Sequence, residues 1–127
     1  MYTLNGANAE RVNPTVTRLL RTDLLHIEGK ELNVVAIQLA PGSVGKQVHY
    51  PGPELVYVLE GFGVLKVEGK PPFALSPGAV TIVDSHHIHI SKNTSPTHRL
   101  KLLVVQLLEI SQPRGLRRTP CLVEWEQ

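Results

Sequence analysis

The sequence predicts a single all-β domain, folded as a closed jelly-roll barrel. Short runs rich in Val, Leu, Ile and Thr recur from residue 16 onward. Clusters of Gly, Pro, Asn and Ser separate these runs at the spacing that hairpins require. The chain has 127 residues, enough for one domain with its own apolar core. Eight or nine strands at this spacing are typical of a jelly roll.

The predicted strands follow one another along the chain. They are TVTRLLR, ELNVVAIQL, KQVHY, ELVYVLEG, GVLKVEG, FALS, AVTIVD, HIHIS and RLKLLVVQLLEI. The last of them, at residues 100–110, also fits a helical period. Its β-branched pair, Val104 and Val105, and its length favour a buried strand.

Two arms flank the predicted barrel, which spans residues 16–110. Residues 1–15 are polar and irregular, and residues 111–127 carry several Pro and Gly breakers before an apolar patch around Trp125. We expect both segments to lie outside the barrel. The C-terminal arm is expected to pack on its own barrel or on a second subunit.

Composition restricts the partners and the compartment. The formal net charge is +2, from thirteen basic and eleven acidic residues spread along the chain, so no nucleic-acid surface is predicted. The longest apolar stretches, such as residues 102–105, are too short for a membrane span. The single cysteine, Cys121, forms no internal disulfide, and the N-terminus has no signal-peptide pattern. These features predict a cytoplasmic protein.

Two spaced motifs stand in the middle of the chain. Glu54 is followed after six residues by Gly61, in PGPELVYVLEG, and Gly78, His89 and Asn93 recur at fixed spacing in GAVTIVDSHHIHISKN. These motifs resemble the end of the first and the whole of the second motif of the cupin family. The chain therefore resembles a small single-domain cupin, whose barrel is a double-stranded β-helix.

The resemblance implies a metal site and a small-molecule ligand. A typical cupin holds a metal through two histidines and a carboxylate of the first motif and one histidine of the second. Fe(II), Mn(II), Ni(II) or Zn(II) suits such ligands and leaves positions open for substrate or dioxygen. This chain keeps Glu54 and His89. The family also implies a homodimer.

The two histidine positions of the first motif can be placed in two registers. Without a gap, Val48 and Tyr50 occupy them, His49 points to the opposite face, and the metal site is largely dismantled. With a loop one residue longer before the carboxylate, both positions shift back by one residue. The candidate metal ligands are then Gln47, His49, Glu54 and His89. The sequence leaves both registers open, and a chain without metal remains one of the alternatives.

The remaining motif residues have ordinary structural interpretations. Asp84 and His86 replace the proline and glycine that are usual in the second motif. We expect His86 and His87 to be solvated residues at the mouth of the barrel. Asn93 either holds the turn that follows it or touches a ligand.

Three functions fit this pattern. The first is a metal-dependent oxygenase or isomerase of a small organic molecule. The second is metal-free acid/base catalysis by an epimerase or isomerase, with His89 and Tyr50 as candidate acid and base. Glu54 is a further candidate catalytic residue. The third is a non-catalytic barrel that binds a small ligand. The candidate pocket residues are Val48, Val56, Val58 and Asn93.

Overall fold

The computed structural model describes residues 14–24, 27–109 and 123–125, and every regular element in these ranges is a β-strand. The strands are β1 (Thr15–Asp23), β2 (Lys30–Leu39), β3 (Gln47–His49), β4 (Glu54–Glu60), β5 (Gly63–Val67), β6 (Phe73–Leu75), β7 (Val80–Val83), β8 (His89–Asn93), β9 (Leu100–Glu109) and β10 (Val123–Trp125). The prediction of an all-β chain is confirmed. No helix that could cross a membrane occurs in these ranges.

The strands form two five-stranded sheets. The first has the order β1-β2-β9-β4-β7, and the second has the order β10-β3-β8-β5-β6. All pairings within them are antiparallel. The chain crosses between the sheets at most of its turns, because strands that follow each other in sequence mostly belong to different sheets. This is the predicted jelly roll.

The core lies between the inner faces of the two sheets. Burial alternates along β2 and β9, as expected when residues two apart share a face. The alternation also identifies residues 100–109 as a strand and excludes the helical alternative. The buried apolar cluster consists of Val35, Leu39, Val56, Val58, Leu65, Leu75, Val83, Leu100, Leu102 and Val104.

Each of the nine predicted runs overlaps one of the strands β1 to β9. The tenth strand was not predicted, and it lies in the segment interpreted as a C-terminal arm. It pairs with β3, placing Val123 beside His49 and Trp125 beside Gln47 in the backbone register. Most of the two predicted arms lies outside the described residues.

Gly61 turns the chain from β4 in the first sheet to β5 in the second. Its φ of 92° lies in the left-handed region, and a Cβ atom there would collide with the carbonyl oxygen of Arg99. Gly69, at the turn after β5, has a similar φ of 80° but open space around it. Comparing substitutions at the two glycines therefore separates the cost of backbone strain from the cost of steric collision.

We expect Gly61→Ala to lower the free energy of unfolding by about 3 kcal/mol, from strain and collision together. Gly69→Ala, which carries the strain alone, should cost about 1 kcal/mol. Urea unfolding of both variants beside the wild type measures the difference. Equal losses in the two variants would show that the close approach at Gly61 has no energetic consequence.

Candidate functional site

A cavity of about 200 Å³ lies between the inner faces of the two sheets and is partly open to solvent. Its walls are mainly aliphatic. It is lined by Pro14, Val16, Ile37, Leu39, Gly45, Lys46, Val48, Tyr50, Glu54, Val56, His89, Ser91, Leu102 and Val104. Strand alternation explains this composition, since each strand turns every second side chain toward the interior.

The buried charged side chains of the cavity are Glu54 and His89. Glu54 begins β4 and shares the inner face of that strand with Val56, and His89 begins β8 in the other sheet. His89 Nε2 lies 2.7 Å from Glu54 Oε1, and the two side chains are only 6% and 4% exposed. This contact therefore joins the two sheets inside the barrel.

A row of buried polar side chains extends this contact across the first sheet. Gln106 lies beside Glu54 in the register of β9 and β4, and Asn33 lies beside Gln106 in that of β2 and β9. Gln106 Nε2 donates to Glu54 Oε2 at 2.8 Å, and Asn33 Nδ2 donates to Gln106 Oε1 at 2.7 Å. The polar row is thus a continuous chain of hydrogen bonds that ends at His89.

The partners of His89 determine its protonation. Its Nδ1 lies 3.0 Å from the carbonyl oxygen of His87, and its Nε2 faces the carboxylate of Glu54. Both partners accept hydrogen bonds, so both ring nitrogens are satisfied when each carries a proton. Burial acts to lower the pKa of His89, but the hydrogen bond and charge of Glu54, with the His87 carbonyl, outweigh it and raise that pKa above 6.5. The contact therefore favours a protonated imidazole beside the carboxylate of Glu54.

A match to a known protein family covers the strands from β2 to β9. The family model of the cupin domain matches residues 35–106, more than half of the chain. The chain belongs to the cupin family. Comparison of its sequence with curated proteins gives no significant match.

Solved structures agree with this assignment. An uncharacterised protein with a double-stranded β-helix domain from Klebsiella pneumoniae superposes with a TM-score of 0.66 at 14% identity, over 100% of this chain and 97% of that one. A cupin superfamily protein from Desulfitobacterium hafniense gives a TM-score of 0.63 at 22% identity, over 80% and 84%. At these identities the similarity shows the fold alone.

An enzyme is also among these structures. The DMSP lyase DddQ from Ruegeria pomeroyi gives a TM-score of 0.57 at 22% identity, over 65% of this chain. This cupin spans only 41% of the length of that lyase. The similarity to the lyase therefore concerns the barrel.

The structure places Val48 and Tyr50 on the cavity, as in the register without a gap. Val48 lies opposite His89 in the pairing of β3 with β8, and the ring of Tyr50 lies 5.9 Å from that of His89. Gln47 and His49 are not among the residues that line the cavity. The ring of His49 instead lies 6.2 Å from that of His86.

The predicted metal set of Gln47, His49, Glu54 and His89 is consequently not brought together in this cupin. Side chains alternate between the two faces of β3, and this alternation separates Gln47 and His49 from the cavity. The other two bond to each other, and Gln106 occupies the second carboxylate oxygen. No group of three or more His, Cys, Asp or Glu that could hold a metal occurs in the described part of the chain. Because transition-metal sites use three or four protein ligands, these donors do not fit one.

The other predicted pocket residues divide between cavity and core. Val56 lines the cavity, whereas Val58 is 1% exposed and belongs to the core cluster. Asn93 is also 1% exposed, and its amide donates to the backbone carbonyls of Leu39, Ala40 and His98. Its Oδ1 accepts from the amide of Ser95. Asn93 therefore holds the turns around it.

Sequence reasoning missed Asn33 and Gln106. Each is a polar residue at a buried, inward position of its strand, in ELNVVAIQL and LKLLVVQLLE, and Glu31 is a second buried polar residue on the same face as Asn33. A polar side chain at such a position needs a buried partner. An inward polar residue in each of these two strands is the sequence signal that identifies the polar row.

We expect His89→Ala to lower the free energy of unfolding by about 3 kcal/mol or more, because it leaves the charge of Glu54 buried without its partner. Adding Glu54→Gln to His89→Ala removes that charge. The double variant should therefore lose less unfolding free energy than the sum of the losses in the two single variants, by about 2 kcal/mol. Urea unfolding of the four proteins measures this coupling. His98→Ala, at an exposed histidine, is the control for loss of an imidazole. Strictly additive losses at Glu54 and His89 would refute the buried pair.

Proposed function

We propose that this cupin binds a small, neutral and largely apolar molecule in its cavity without a metal. The observation that carries the proposal is the composition of the cavity, whose aliphatic walls surround one buried ion pair. Sites for small molecules typically combine apolar walls with a few fixed polar groups. The walls contribute affinity, and the pair orients the ligand.

The volume limits the size of the ligand. An apolar cavity of roughly 150 Å³ accommodates benzene. The cavity here, at about 200 Å³, suits a single ring or a short branched chain with one polar substituent. Its partial opening lets such a molecule enter between the sheets.

Glu54 sets the chemistry of the polar substituent. A carboxylate has about four acceptor positions. Two donors, His89 Nε2 and Gln106 Nε2, occupy one position on each oxygen. The remaining acceptor positions of Glu54 are available because its side chain lines the cavity. Glu54 therefore accepts a hydrogen bond from a hydroxyl or amide of the ligand. Because the pair is neutral as a whole, a neutral ligand avoids burying a net charge.

Acid/base catalysis is the second candidate, and the nearness of the Tyr50 and His89 rings supports it. However, both nitrogens of His89 face acceptors of the protein itself. Proton transfer from His89 to a substrate would require His89 to give up one of these contacts. Binding requires no such change, and it is therefore the function we propose first.

Titration with 4-methylphenol and with toluene, followed by ¹H–¹⁵N NMR of the full chain, tests the proposal. Both probes should shift the resonances of cavity residues, and 4-methylphenol should bind at least about tenfold more tightly because it donates to a charged acceptor. Val48→Phe, which fills the cavity, should abolish both effects. Val64→Phe, on β5 and away from the cavity, is the matched control.

Two results would contradict the proposal. One is the absence of cavity shifts with either probe at concentrations near the solubility limit. The other is equal affinity for toluene and 4-methylphenol, which would show that Glu54 does not orient the ligand.

A further inference from the structure

The polar side chains that line the cavity form two groups. Tyr50, Glu54 and His89 make up the first, which we call the first polar end. The rings of Tyr50 and His89 lie 5.9 Å apart there, and His89 Nε2 lies 2.7 Å from Glu54 Oε1. Lys46 and Ser91 also line the cavity, and neither takes part in these contacts.

Strand geometry places Ser91 beyond His89. Both residues line the cavity from β8, because residues two apart in a strand share a face. They are displaced from each other by about 7 Å along the strand. Ser91 is half-buried, and its hydroxyl has no hydrogen-bond partner among the residues that the structure describes. Ser91 therefore offers the cavity a hydroxyl that the rest of the site does not use.

The segment before β3 brings Lys46 to the same position along the cavity. Val48 is the antiparallel partner of His89, so the residue two places before Val48 lies beside the residue two places after His89. These residues are Lys46 and Ser91. The amide of Gly45 donates to the carbonyl oxygen of Ser91 at 2.8 Å, which holds this segment against β8. We call Lys46 and Ser91 together the second polar end.

We propose that the second polar end binds a carbonyl oxygen of the ligand, opposite the hydroxyl or amide that Glu54 accepts. This inference rests on the proposed function and adds a second polar group to the ligand. A lysine ammonium only donates hydrogen bonds, and a serine hydroxyl donates one, so the two together recognise an acceptor. The ammonium has three donors, so Lys46 serves the ligand beside the partner that it already has in the protein. A carbonyl group satisfies these donors and keeps the ligand neutral.

The separation of the two ends restricts the class of ligand. A molecule that meets both ends carries its donor and its acceptor about 7 Å apart, at opposite ends of its skeleton. The walls of the cavity are mainly aliphatic, so the part between the two polar groups is apolar. An aromatic ring with a hydroxyl and an uncharged carbonyl group in para positions has this arrangement. Hydroxyaryl ketones are thus the class that the two ends fit.

Titration of the full chain with 4-hydroxyacetophenone and with 4-isopropylphenol, followed by ¹H–¹⁵N NMR, tests the inference. The two molecules share a phenol and have nearly the same shape, but only the ketone has the oxygen that the second polar end would bind. The quantity measured is the affinity for the ketone divided by the affinity for the alkylphenol. Contributions that the two molecules share, from the phenol and from the cavity walls, cancel in this ratio.

Ser91→Ala should lower the ratio about fivefold, which is the effect of one neutral hydrogen bond. Lys46→Met should lower it about tenfold or more, because its donor is charged. Ser76→Ala and Lys66→Met are the matched controls. Ser76 is half-buried and Lys66 is exposed, and neither lines the cavity. Both controls should keep the ratio of the wild type.

Three results would overturn the inference, and they separate it from the proposed function. An unchanged ratio in Ser91→Ala or in Lys46→Met, with both molecules bound in the cavity, removes the second polar end and leaves the proposed function standing. The same holds if 4-methylphenol binds but neither longer molecule does, because the ligand site then does not extend to Ser91. If none of the three phenols shifts the resonances of cavity residues, the inference and the proposed function are both wrong.

Discussion

The buried contact between Glu54 and His89 is the constraint on which the interior of this barrel depends. It joins the two sheets at the cavity, and neither side chain can lose its partner without leaving a polar or charged group buried. The amides of Gln106 and Asn33 follow from it, because the carboxylate requires a donor and thereby fixes which end of Gln106 faces it. The carboxylate of Glu54 therefore sets the side-chain orientations of Gln106 and Asn33 across the first sheet.

The same contact determines what the cavity can hold. In the arrangement that the cupin family implies, a cation binds the carboxylate and the imidazole. Here the raised pKa of His89 favours a positive charge on the imidazole itself, and the two neighbouring inward positions carry Val48 and Tyr50. Such a pair balances the buried charge of Glu54 within the chain. Under the function we propose, the space beside it holds a neutral molecule rather than a coordinated one.

The sequence predicted the strands well, because hairpin breakers and apolar alternation are local signals. The end of the first motif and the second motif likewise pointed to Glu54 and His89, which the structure brings into contact. The register of the first motif was not predictable, since a shift of one residue exchanges Val48 and Tyr50 for Gln47 and His49 without changing local propensity. Asn33 and Gln106 are 73 residues apart, and only the pairing of β2 with β9 brings them together. The β10 strand was missed because three residues give no periodic pattern.

Nitrogen-detected NMR of the His89 imidazole, before and after addition of one equivalent of Zn(II), tests the central claim most directly. The raised pKa of His89 predicts that both ring nitrogens remain protonated above pH 6.5, where an ordinary histidine loses one proton. The bond to Glu54 predicts that Zn(II) leaves both signals unchanged. A neutral ring at that pH, or loss of the Nε2 proton on addition of Zn(II), would contradict a site closed by its own ion pair.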